Sequence, residues 1–426
     1  MSSIEVIGGM RLKGEVKIQG SKNAALPIIA ATILNKGISV LKNCPKILDV
    51  LHMIKILEEL GCETSWEGDT LYVDSTTLLD PIVSEESVRK MRSSILFLGS
   101  LLGRCHEATI AYPGGCSIGK RPIDYHLNAF RKMNVEETFT GSDNHIIYCR
   151  TNQIIGNDIF LEFPSVGATQ NIILAAVLGS GVTRIFNAAR EPEVTELCNY
   201  LIKAGAKIYG RGTSFIKVEG VQSLHDVEFT LSSDRIVAGT YMTAVAASYG
   251  DVVLRATPVR HLDSVIRQLK RIGCNIAITE DNVRISNQGR LQPIVGLSTQ
   301  PYPGFPTDMQ SQMLSVLCLA EGQSTILEEI FESRFQNVYE LRKMGANIEL
   351  DTRQNKAIVT GVDKLTGATV KSHDLRGGAA LVIAGLAAEG KTIIQDTTNI
   401  DRGYEDICRD LSELGANIRY RIEIAS

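Results

Sequence analysis

One pattern recurs six times in this chain of 426 residues. Segments of the form apolar-x-x-apolar-Gly-small-x-apolar place Gly61, Asn134, Gly205, Gly273, Gly345 and Gly415 at successive separations of 73, 71, 68, 72 and 70 residues. Self-similarity at a fixed period means one supersecondary unit used repeatedly. Glycine closing a helical pattern supplies a left-handed cap, and asparagine, present in the second copy, tolerates that conformation next best. Each segment therefore reads as a helix end, a cap and an entering strand.

A second helix precedes each of these, with ends marked by Gly37, Gly103, Gly181, Gly250, Gly322 and Gly390. From each to the next cap the distances are 24, 31, 24, 23, 23 and 25 residues. Only the second copy is long, and residues 113–122 lie inside its excess. An insertion in one copy of a repeat maps to a loop, and loops on rigid scaffolds carry function. A tolerated surface insertion has the same length, so composition has to separate the two.

The third copy illustrates the unit. Residues 158–162 read as a strand, 168–178 as a helix closed by Gly179–Gly181, 182–187 as a strand, 192–204 as a helix, and 206–209 with 215–218 as a hairpin. Three such units fill one domain, residues 22–232, and three fill the other, residues 233–426 joined by 1–21. The first strand, residues 4–18, is expected to pair with the second domain, with crossings near Gly20 and Ser232. The active site is expected in the cleft between the domains.

Composition narrows the function classes. Net charge is −4, with 44% apolar and 22% charged residues, an ordinary globular balance. A basic excess is missing, so no nucleic-acid partner is expected. No apolar run reaches a membrane span, residues 377–388 coming nearest, so no membrane partner is expected either. Nine cysteines, an odd number without a Cys-x-x-Cys pair, suit a reduced, cytoplasmic chain. Cys62, Cys198, Cys274 and Cys318 sit in apolar contexts as small hydrophobes. The histidines show no ligand spacing, so no metal is expected.

The long copy contains Pro113-Gly-Gly-Cys116-Ser-Ile-Gly-Lys120-Arg121-Pro122. Three glycines allow positive φ and close approach to a ligand. The adjacent cations would stabilise a thiolate and attract an anion. Three further cationic groups stand near turns: Lys22-Asn23, Met91-Arg92, and Arg402 in Ile400-Asp-Arg402-Gly-Tyr-Glu405, read as opening a helix. Four such groups in a chain that is not basic suggest a small polyanion. Asp308, in Phe305-Pro-Thr-Asp308, opens the helix 309–321. An acid there is an ordinary dipole partner, and becomes a base only when desolvated. Asp374 and Arg376 hold the equivalent place in the sixth unit.

Together these segments resemble the UDP-N-acetylglucosamine 1-carboxyvinyltransferase family, the enolpyruvyl transferases of peptidoglycan synthesis. The carriers are residues 20–27, 113–122, 164–169, 188–193, 305–310 and 401–405, so the likeness runs nearly end to end. It implies an α/β protein with the two-domain inverted α/β barrel-like fold of the enolpyruvyl transferases, six βαβαββ repeats, three per domain. It also implies transfer of the enolpyruvyl group of phosphoenolpyruvate to the 3′-hydroxyl of UDP-N-acetylglucosamine, without a cofactor. By position, Lys22, Asn23, Arg121 and Arg402 would hold phosphoenolpyruvate, Cys116 would be the general acid, and Asp308 the base. Arg92, Arg121, Pro122, Ile123, Asp124, Tyr125, Ser165, Val166, Gly167, Asp308 and Ile330 would line the sugar-nucleotide site, with Asp374 and Arg376 supporting. Phe163 departs from the lysine that some members carry there. Transfer to shikimate 3-phosphate on the same fold, or a non-catalytic sugar-nucleotide sensor, are the alternatives. The cysteine loop argues against the first, and the intact Lys22, Cys116, Asp308 and Arg402 against the second.

Overall fold

The computed structural model describes residues 2–113, 118–119, 122–141 and 145–422. It divides into two compact units, residues 1–19 with 117–120 and 233–426, and residues 20–116 with 121–232.

All six repeat markers adopt positive φ: Gly61 94°, Asn134 71°, Gly205 108°, Gly273 108°, Gly345 90° and Gly415 92°. Each lets the chain leave a helix and enter a strand at once. The second set of markers is less uniform. Gly103 lies inside the helix Leu96–Cys105, whose left-handed cap is His106 at φ 63°. In the fourth repeat Tyr249, beside Gly250, takes φ 54°. Histidine and tyrosine give no glycine-like signal, so these stops were misplaced by one to three residues.

The strands form five four-stranded sheets and one three-stranded sheet among the described residues. In the third repeat Asp158–Phe160 runs parallel to Val182–Phe186, which pairs antiparallel with Phe215–Glu219, which pairs antiparallel with Lys207–Tyr209. This order recurs. In the second repeat the leading strand shrinks to a parallel bridge, Ile82 with Thr109.

Three sheets are completed by residues distant in sequence. Val227–Thr230 leads the first sheet, parallel to Ile38–Lys42. The expected single strand at residues 4–18 is two strands. Lys13–Lys17 leads the fourth sheet beside Asp251–Arg255, and Ser2–Ile7 lies antiparallel between Lys391–Gln395 and Asn417–Ile422. Gly8 and Gly9 break the run, Gly9 at positive φ.

Each unit has three inner helices buried on nearly every face, as all-round apolar helices must be. In one, Lys22–Thr32 packs on Leu96–Cys105, which packs on Val166–Ala176. In the other, Arg235–Ala247, Gln310–Leu317 and Leu375–Ala387 pack pairwise, and all 13 residues of the first are buried. Helices such as Asp263–Arg271, where only Val265, Ile266 and Leu269 are buried, keep a polar outer face. The N-termini of the inner helices carry most of the singled-out residues.

Candidate active site

In the unit of residues 20–116 and 121–232, Ser21 caps the helix Lys22–Thr32 by accepting from Ala24 N at 3.3 Å. Lys22, the first helical residue, is 8% exposed, and its Nζ lies 2.7 Å from Oδ2 of Asp49, itself 1% exposed. Asp49 carries no sequence signal, standing in an apolar helix start, yet it fixes where this ammonium points. Asn23 is partly buried beside it.

Arg92 begins the short 3-10 turn Arg92–Ile95, and its Nη2 donates to the Pro122 carbonyl at 3.4 Å. That bond brings Arg92 to the segment Pro122, Ile123, Asp124 and Tyr125, where Ile123 is buried and Asp124 starts the helix Asp124–Lys132. A cavity of about 380 Å³ adjoins Tyr125, lined also by Arg131, Phe160 and Glu162. Ser165 caps the helix Val166–Ala176 through Ala168 N at 3.3 Å. Val166 and Gly167 thus lead a helix whose first amides face outward, a ready anion site. Cys116, Lys120 and Arg121 lie outside the described residues.

The unit of residues 1–19, 117–120 and 233–426 is built differently. Asp308 sits in the 3-10 turn Thr307–Met309 and is clasped by two buried guanidinium groups. Arg334 Nη2 donates to Oδ1 at 2.9 Å; Arg376 Nη2 and Nε donate to Oδ2 at 3.0 and 3.3 Å. Both arginine side chains are 3% exposed, and the carboxylate is 26% exposed. Burial works against the charge of Arg376, but Asp308, Tyr404 and Asp234 outweigh it and hold its pKa above the ordinary value. Arg334 was invisible in the sequence because it follows a strand end in no recognisable motif. Its loop is fixed by Glu328, which accepts from Ile330 N at 2.9 Å, Phe331 N at 3.2 Å and Thr307 Oγ1 at 2.9 Å. Ile330 is therefore tethered to the Asp308 turn.

Asp374 is the N-cap of Leu375–Ala387, its Oδ1 accepting from Arg376 N and Gly377 N at 2.9 Å each. It orients Arg376 through the backbone. Arg402 does not open a helix. It ends the turn Thr398–Asp401, five residues before the next helix at Ile407. Gln19 holds that segment, donating to Gly403 O at 3.1 Å and accepting from Glu405 N at 2.9 Å.

Cys62, Cys198, Cys274 and Cys318 are buried. Burial raises their thiol pKa, to about 11 for Cys62 and about 12 for the other three. They stay protonated and inert near neutrality.

A family model described as EPSP synthase (3-phosphoshikimate 1-carboxyvinyltransferase) matches residues 6–411. A protein of Caldanaerobacter subterraneus named UDP-N-acetylglucosamine 1-carboxyvinyltransferase 2 is 48% identical over 98% of this chain and 99% of its own. Proteins of Finegoldia magna and Staphylococcus aureus bearing the same enzyme name are 45% and 44% identical, covering 100% and 98% of this chain and 100% and 99% of theirs. The chain belongs to the UDP-N-acetylglucosamine 1-carboxyvinyltransferase family. Among solved structures, the enolpyruvyl transferase NikO of Streptomyces tendae superposes with a TM-score of 0.88 at 24% identity, covering 98% of both chains. An EPSP synthase of Acinetobacter baumannii gives 0.75 at 18%, covering 99% and 100%. These two show the enolpyruvyl transferase fold.

Proposed function

We propose that this chain transfers the enolpyruvyl group of phosphoenolpyruvate to the 3′-hydroxyl of UDP-N-acetylglucosamine, releasing phosphate, in the cytoplasm. The observation that carries the reading is identity of 44–48% along nearly the whole length to proteins named for that activity. Eight free thiols among the described cysteines suit a reducing compartment.

In this reading Lys22, Asn23, Arg121 and Arg402 hold the phosphate and carboxylate of phosphoenolpyruvate. Asp308 takes the 3′-hydroxyl proton while that oxygen bonds to C2 of phosphoenolpyruvate, and Cys116 delivers a proton to the methylene carbon. Loss of a proton from the resulting methyl group then expels phosphate and restores the double bond. Oδ1 and Oδ2 of Asp308 already accept bonds from Arg334 and Arg376. Each carboxylate oxygen can accept more than one bond, so the substrate hydroxyl can join these donors while Arg334 and Arg376 aim the carboxylate. The half-buried N-terminus of Val166–Ala176, with Arg92 and Pro122–Tyr125, takes the nucleoside diphosphate. Asp374 and Glu328 act on Arg376 and Ile330 from behind.

Mass spectrometry of the product tests the reading. With both substrates present, the sugar nucleotide gains one enolpyruvyl group. An unchanged sugar nucleotide, with folded protein, would falsify it.

A further inference from the structure

His126 belongs to none of the motifs above, and it is almost fully enclosed, 6% exposed, on the helix Asp124–Lys132. Its Nδ1 lies 2.8 Å from Nδ2 of Asn171, a residue of the helix Val166–Ala176. The Asn171 amide has one possible orientation. Its Oδ1 accepts from Gly99 N at 2.8 Å, and a backbone N–H can only donate. Its Nδ2 donates to the Ile95 carbonyl at 2.9 Å, and a carbonyl can only accept. A side chain on residue 99 would collide with this arrangement, because an added Cβ would lie 2.3 Å from Oδ1 of Asn171. The amide nitrogen is thus the donor to His126, so Nδ1 must be an acceptor without a proton. In a neutral ring the proton then sits on Nε2.

That second nitrogen points at the helix start. Cε1 and Nε2 stand 3.4 and 3.5 Å from where a Cβ on Gly167 would be. The first helical residues are Val166 and Gly167, and the Ser165 hydroxyl caps the later Ala168 amide, not theirs. Nε2 has no hydrogen-bond partner among the described residues. Burial, with the Arg92 charge adding to it, pushes the ring pKa down to about 3, so the ring is neutral at physiological pH.

We infer that Asn171 locks His126 as the Nε2–H tautomer and that this N–H joins the leading amides of Val166–Ala176 to bind the diphosphate of the sugar nucleotide. The inference rests on the proposed function for the identity of the anion, and on geometry alone for the tautomer. A neutral donor suits the place, since it adds a directed hydrogen bond without forming a permanent ion pair.

Two measurements test it. A long-range ¹H–¹⁵N spectrum of histidine-labelled protein at pH 7 reads the tautomer without any substrate; a proton on Nε2 is expected, and one on Nδ1 overturns the assignment. Phosphate-release kinetics read the binding role. His126→Asn keeps an acceptor near Nδ1 for Asn171 but loses the Nε2–H. It is expected to raise KM for UDP-N-acetylglucosamine about tenfold, the order of one hydrogen bond to a charged group. Under the same conditions kcat and KM for phosphoenolpyruvate stay within about twofold. His126→Gln places an N–H near the old Nε2 and is expected to restore most of the loss. An unchanged sugar-nucleotide KM in His126→Asn, or equal damage to both substrates, overturns the binding role. If the wild-type protein shows no transfer, the proposed function fails by itself. UDP titrated by calorimetry into wild type and His126→Asn then decides the diphosphate contact, with weaker binding expected in the variant.

Discussion

The two units repeat one architecture, yet their inner helices begin in opposite ways. In the unit of residues 20–116 and 121–232, the caps are neutral: Ser21 and Ser165 each accept one amide, from the third helical residue. In the other unit the side-chain caps are carboxylates, while one inner helix of each unit, Leu96–Cys105 and Gln310–Leu317, has no side-chain cap. Asp234 accepts from Ile236 N and Val237 N at 2.7 and 3.0 Å, and Asp374 from Arg376 N and Gly377 N. A carboxylate neutralises the positive end of the helix and consumes two amides, whereas a serine leaves that end positive with an amide to spare. The serine-capped unit is thereby suited to receive a large anion. The aspartate-capped unit instead balances its own charges, with Arg334 and Arg376 around Asp308.

Breaking the acid centre should cost most. Asp308→Asn keeps the shape but removes the proton acceptor, and kcat should fall by roughly 10²–10⁴-fold, the usual contribution of a positioned base, in phosphate-release assays. A loss under fivefold would put the base elsewhere.

The next effect is on stability. Lys22→Met removes the cation beside the buried Asp49 carboxylate, and urea unfolding should show a loss of about 3 kcal/mol. Adding Asp49→Asn should recover much of it without recovering turnover. Recovery of both would mean Lys22 has only a structural task.

Exchanging the caps sharpens the contrast directly. Ser165→Asp puts a carboxylate where the diphosphate is proposed to bind, so KM for UDP-N-acetylglucosamine should rise about tenfold while stability holds or improves. The reciprocal Asp374→Ser should cost about 1 kcal/mol of stability and leave that KM alone. Similar kinetic effects from the two would show that cap chemistry does not divide the labour.

A further effect concerns acid. His126 has its pKa lowered from 6.5 to about 3 by burial, so only the unfolded chain binds a proton below 6.5. This residue's contribution is therefore intact above pH 6.5 and is lost as pH falls toward 3, at a limiting slope of about 1.4 kcal/mol per unit. His126→Gln should flatten the decline between pH 6 and 4 in denaturant melts. Parallel curves would place the acid sensitivity in other groups.

Much of the fold was legible because the repeat recurs at a physical necessity, a helix turning into a strand through a left-handed residue. Where His106 or Tyr249 took that conformation, tertiary context overrode the local preference and the helix ends were missed. The split of residues 2–17 into two strands has no local signal strong enough to fix it, because pairing partners some 240 and 390 residues away decide it. At the site, residues in glycine- or proline-marked turns stood out. Arg334, Asp49, His126 and Asn171 did not, because each acts through a distant partner that only folding supplies.

The tuning of an enolpyruvyl transferase scaffold to a nucleoside diphosphate acceptor is what distinguishes this chain from a transferase that acts on shikimate 3-phosphate. It is tested most directly by measuring phosphate release from phosphoenolpyruvate with UDP-N-acetylglucosamine and, in parallel, with shikimate 3-phosphate. Release that depends on the sugar nucleotide, with kcat/KM at least 10³-fold above shikimate 3-phosphate, on the order of what directed hydrogen bonding to one acceptor supplies, is the expected result. Equal or greater turnover of shikimate 3-phosphate would contradict it.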